Sequence, residues 1–155
     1  MTATAKHPFR AAVEAKDMDA LAASLAPDVL FYPPIRDEPL RGREAAVAGL
    51  RFAATTFAFG DGFRYVDELA GAGSVVLVFE TEIDGAFLEG VDYLVLDDDG
   101  LVRELRISMR PVSAARKYLA FAEEAIADGR TPTAYSRPGD PAGRPGGAGH
   151  RAEED

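Results

Sequence analysis

Two turn signals constrain this chain more than anything else in it. Asp84-Gly85 separates a run from Ser74 to Ile83 from a second run, Phe87 to Leu96. An Asp-Gly pair between runs of alternating polarity predicts a tight hairpin, because both residues tolerate the positive φ that such a turn demands. Asp97 to Gly100 predicts the next turn, and Leu101 to Met109 the strand that returns from it. Phe63 to Leu69 adds an earlier strand, and Pro111, which lacks an amide hydrogen, ends the meander.

Helical signals flank the strands. Phe9, Ala12, Val13, Met18, Leu21 and Leu25 recur at helical spacing, and Asp17 reads as an N-cap that splits the stretch into two helices at a corner. Pro27-Asp28 is expected to end the second. Val29 to Tyr32 reads as a short strand stopped by Pro33-Pro34. Gly42 precedes a third helix, roughly 43 to 54, and Ser113 is expected to cap a last one from Ala114 to Ala127, with Gly129 stopping it. Helices, then a strand meander, then a helix predict an α+β domain with helices on one face of an antiparallel sheet. The expected domain is 1–129. Residues 130–155 hold four prolines and five glycines, with almost nothing to bury, and are expected to form a disordered tail.

Strand alternation sorts the faces. Leu105, Ile107 and Met109 share one side of their strand; Leu77, Phe79 and Ile83, with Thr81 among them, share one side of theirs. The run 87–96 is apolar on both sides, so either Asp92 or Glu89 faces inward. Leu88, Leu94 and Leu96 favour Asp92. A carboxylate on an apolar wall has its charged form disfavoured and its pKa raised, and such groups concentrate at functional sites. The opposite face keeps Val76, Val78, Val91 and Tyr93, an apolar patch that suggests a partner surface.

Composition removes several functions. There is no cysteine, so disulfides, thiolate metal sites and a cysteine nucleophile are excluded. With only His7 and His150, neither a histidine triad nor a multi-histidine zinc site is expected. The net charge of −9, with no basic patch, argues against nucleic acid. Neither a signal peptide nor a membrane-spanning run of about 18 apolar residues is recognisable, which predicts a cytoplasmic protein without a membrane partner. The Asp97–Asp99 run lacks calcium-loop spacing and reads as a solvated turn. His7 reads as an exposed cap, and Arg110 as the ion-pair partner of Glu80 or Glu82.

HPFRAAVEAKDMDALAASLAPDVLFYPP, LRGREAAVAGL and FLEGVDYLVLDDDGLVRELRISMRP, in this order, resemble the SnoaL-like branch of the nuclear transport factor 2-like superfamily, over about 6–115. The resemblance implies a curved sheet wrapped around a long helix, a cone with an apolar pocket at its open end, and homodimers through the outer sheet face. Within that superfamily, VDYLVLDDDGLV resembles the strand of ketosteroid isomerases that carries a buried, protonated aspartate, and Asp92 takes its place. The isomerase's donor tyrosine falls on Phe9 and its general base on Pro33, and neither residue can do that chemistry. Epoxide hydrolases of the superfamily use an Asp-Arg-Asp set, but Arg106 has outward parity. In polyketide cyclases an acid/base carboxylate works with an enolate-binding group, a role open to Asp92 with Tyr32, the tyrosine expected at the pocket mouth.

The resulting expectation is a pocket for an apolar oxygenated small molecule, with Asp92 and Tyr32 as candidate catalytic residues. Phe9, Leu77, Phe79, Thr81, Leu94, Leu105, Ile107 and Met109 are expected to line it. Neither a cofactor nor a metal is expected. Three classes stay open: a cofactor-free acid/base enzyme of cyclase or isomerase type, a non-catalytic binding module, and a dimerisation domain with a filled pocket.

Overall fold

The computed structural model describes residues 5–129; the segment expected as a tail, 130–155, lies outside the described residues. Helices α1 (Pro8–Glu14) and α2 (Met18–Ala23) lead into strand β1 (Leu25–Tyr32), a short β2 (Leu40–Arg41) and α3 (Arg43–Ala53). A π-helical turn, Ala54–Ala58, continues α3. Strands β3 (Arg64–Ala70), β4 (Ser74–Ile83), β5 (Ala86–Leu96) and β6 (Val102–Arg110) follow, and α4 (Val112–Ala127) closes the fold. The curved sheet has the order β2-β1-β6-β5-β4-β3. It is antiparallel except where β1 runs parallel to β6. That pair joins the start of the chain to the end of the meander, a connection that no local signal in the sequence encodes.

Asp17 caps α2 as expected, its carboxylate accepting from the Ala20 amide at 3.0 Å. The helix-to-strand boundary differs from expectation. Pro27 and Asp28 do not end α2; they lie inside β1, where the register with β6 shifts between Leu25 and Leu30. An irregularity of that kind accommodates a residue that cannot donate to the ladder. At the other end, α4 begins at Val112 after Pro111, and Ser113 makes no capping bond. Asp84 and Gly85 both have positive φ (49° and 72°), as the hairpin requires.

The core lies between the concave face of the sheet and the helices. Phe9, Val13 and Leu21 from the helical layer meet Phe31, Leu77, Phe79, Leu88, Leu94 and Leu105 from the sheet. Tyr118 of α4 joins them and meets Phe57 edge-on. No helix among the described residues is long and apolar enough to cross a membrane.

Candidate functional site

Asp92 sits in the middle of β5, opposite Leu77 of β4 and Ile107 of β6. Its side chain faces inward and is 4% exposed, while Glu89 faces the other way and pairs with Arg110 at 2.8 Å. Two residues before it, Gly90 leaves a gap on the concave face. The Phe79 ring fills that gap so closely that a Cβ on Gly90 would stand 2.2 Å from Phe79 Cζ. Tyr65 of β3 lies across β4 from Gly90, in register with Phe79. Its ring is edge-on to Phe79, and its hydroxyl donates a 2.9 Å hydrogen bond to Asp92 Oδ2.

The pair closes the polar end of an otherwise apolar cavity of about 30 Å³, room for about one or two waters. Phe9, Val13, Leu50, Phe57, Phe63 and Phe79 are among its walls. Asp92 and Tyr65 are the ionisable side chains of that lining. Burial pushes the Asp92 carboxyl up to about 7, and the hydrogen bond from Tyr65 holds it back from rising further. Burial, with the neighbouring Asp92 charge, moves the Tyr65 phenol well above its ordinary value, so Tyr65 is a neutral donor throughout the physiological range.

Five aromatic rings crowd the space in front of the pair. Phe57 stacks near Phe79 at 6.0 Å between centroids, and Phe63 meets Tyr65 edge-on at 5.0 Å. Phe57 and Ala58 come from the π-helical turn, where Thr55 and Thr56 hydroxyls both bond back to the Phe52 carbonyl. Side-chain bonds of this kind compete with the helical ladder, and π-helical turns recur at functional sites. Nothing in the alternation of sequence 43–58 announced this turn.

The structure places the expected residues unevenly. Asp92, Phe9, Phe79 and Ile107 line the cavity. Leu77, Leu94 and Leu105 are fully buried behind it as core, and Thr81 and Met109 occupy the same sheet face without reaching the lining. Tyr32 is on the other face. Val29 and Phe31 are the buried residues of β1, so Tyr32 points outward, where the Arg106 guanidinium lies 4.4 Å from its ring. Asp92's partner is therefore Tyr65 and not Tyr32, a correction that follows from the parity of β1. His7 caps α1 through Nδ1, and Asp97 Oδ1 accepts from the Asp99 and Leu101 amides to form a tight turn. Arg110 pairs with Glu89, its directly opposed neighbour, and Glu80 pairs instead with Arg64.

A family model for the SnoaL-like domain matches residues 7–105. The chain belongs to the SnoaL-like family. Among solved structures, this SnoaL-like domain is similar to a steroid Δ-isomerase from Pseudomonas aeruginosa, with 27% identity, a TM-score of 0.71 and coverage of 79% of this chain and 88% of that one. A protein with a cystatin-like fold from Silicibacter pomeroyi is similar at 26% identity and a TM-score of 0.70, covering 79% and 86%. An NTF2-like protein from Cytophaga hutchinsonii shares the fold at 16% identity and a TM-score of 0.53, covering 73% and 97%. No curated protein matches the chain.

Proposed function

We propose that this SnoaL-like domain binds an apolar oxygenated small molecule, its carbonyl or enol oxygen held by Asp92. The observation that carries this reading is the buried Tyr65–Asp92 hydrogen bond at the closed end of an aromatic cavity. In its neutral form Asp92 accepts from Tyr65 on one oxygen and offers its own proton to the ligand from the other. The chain of donors Tyr65, Asp92, ligand oxygen polarises a carbonyl and stabilises an enolate, with stronger effect in a dry cavity than in water. A carboxyl titrating near 7 is also poised to give and retake a proton at neutral pH.

The lining supplies one group of that kind. The chemistry that fits is polarisation of the bound carbonyl or enol by that one acid; enolisation would also need a water molecule or the ligand itself to take the carbon-bound proton, since Asp92 and Tyr65 are the ionisable residues of the lining. The steroid isomerase likeness supports the same reading. Because the cavity is small, binding requires part of its aromatic lining to move aside. Naphthol and tetralone are suitable probes. Asp92→Asn should retain binding, whereas Asp92→Leu should abolish it; equal binding by wild type and Asp92→Leu would sink the proposal.

The partner side of the reading is a homodimer through the convex sheet face. Leu69, Val76, Tyr93 and Arg106 stand in one cross-strand row, with Tyr32 beside Arg106. Val78 and Val91 form the next row. Leu69 and Tyr93 remain 54% and 39% exposed, an apolar stripe that a second copy would cover.

A further inference from the structure

Arg10 of α1 is a charge outside the cavity lining that stands against one of its wall residues, Tyr65. The side chain is largely buried, at 16% exposure, although arginine is rarely so unless paired. Its Nε donates to Glu14 at 2.9 Å and its Nη1 to Glu68 at 3.0 Å. The two carboxylates fix the guanidinium from two elements, α1 and β3. Held there, it lies over the Tyr65 ring, 5.6 Å from its centroid. Glu68 is opposite Leu77, which is opposite Asp92, so the clamp and the carboxyl occupy one row of the sheet.

We propose that Arg10, clamped by Glu14 and Glu68, is a positioning residue that orients the Tyr65 ring and sets how strongly its hydroxyl donates to Asp92. This inference rests on the reading of Asp92 as the ligand-binding acid, and adds the device that tunes it. A cation over an aromatic ring is attracted by the ring's negative face and draws charge from the phenol. The phenol becomes a better donor, and a better donor stabilises the ionised form of Asp92. Glu14 works against the cation and Lys6 against Glu14, to which it is bonded at 2.7 Å. The remaining charges near Tyr65 are Lys16 and Arg64, which line a polar recess beside it and are engaged by Asp61 and Glu80.

The sign of two substitutions separates this role from simple packing. Arg10→Met removes the cation and leaves the carboxylates, so the Asp92 midpoint should rise by about half a pH unit. Glu14→Gln keeps the acceptor for Arg10 Nε and removes a negative charge, so the midpoint should fall. Arg10→Lys keeps the charge without the fork and should lie between wild type and Arg10→Met. In a Tyr65→Phe background both shifts should largely vanish. The experiment is an NMR titration of the Asp92 carboxyl carbon in the full chain, with circular dichroism to confirm folding. If Arg10→Met fails to fold, Arg10→Lys and Glu14→Gln still give the two signs. Shifts in one common direction, or shifts that persist without the Tyr65 hydroxyl, would overturn the proposal. A wild-type midpoint near 4, or no naphthol binding, counts instead against the reading of Asp92, because the opposed shifts are readable in either case.

Discussion

The Tyr65 hydroxyl donates to Asp92 Oδ2 over 2.9 Å, across one intervening strand. The bond decides what the carboxyl can do. It occupies one oxygen, and it offsets part of the desolvation that raises the pKa to about 7.

Stability should therefore fall between about pH 4 and pH 7. In the unfolded chain Asp92 ionises near its ordinary value, while in the native state it stays protonated to about 7. The native state binds the extra proton, so the stabilisation present below pH 4 is lost as pH rises through 7 and is constant above it. The change is a few kcal/mol, at about 1.4 kcal/mol per pH unit. Asp92→Asn should flatten this part of the urea-denaturation profile; an unchanged slope would contradict the assignment.

Removing the Tyr65 hydroxyl should push the Asp92 carboxyl still higher. Tyr65→Phe deletes the one bond that favours the charged form. Its loss of stability should be modest at low pH, where Asp92 is neutral in both proteins, and larger at pH 8. Denaturation midpoints at the two pH values test this, and equal losses would count against it.

Gly90→Ala should cost about 1–3 kcal/mol, the usual penalty for overpacking. A Cβ there meets the Phe79 ring at 2.2 Å and the Ser108 carbonyl oxygen at 2.7 Å, and the backbone oxygen has little freedom to retreat. The ring would be driven toward the cavity, so naphthol binding should weaken as well. Thermal unfolding and a binding titration read the two effects, and a substitution without either would show that Phe79 moves elsewhere.

The sheet and its inward face were legible in the sequence because turn chemistry and period two are local. Asp84-Gly85 fixed one hairpin, and Leu88, Leu94 and Leu96 chose Asp92 over Glu89. What was not legible came from pairings distant in the chain. Tyr32 and Tyr65 look alike as tyrosines on strands. Only the parity of β1, set against β6, turns Tyr32 outward, and only the β3–β4 register brings Tyr65 to the cavity. The register shift between Tyr65 and Asp67 puts Leu69 on the opposite face from Tyr65 despite equal parity, so alternation counted back from Leu69 misplaces the tyrosine. The aromatic closure lies past the expected end of the third helix at 54: the π-helical turn carries the chain on to Ala58, with Phe57 among its buried residues.

Val78→Asp should convert a dimer to a monomer, since it places a charge beside Val91 in the centre of the convex face. Sedimentation velocity reads the result. A wild-type protein that stays monomeric at high concentration would rule out the dimer.

The most direct test of the account is the titration of Asp92 itself, followed through its carboxyl carbon by NMR with and without naphthol. A midpoint of about 7 is expected in the free protein and a higher one in the complex, because the bound oxygen takes its hydrogen bond from the neutral acid. A midpoint near the ordinary carboxylate value of about 4, unmoved by naphthol, would contradict it.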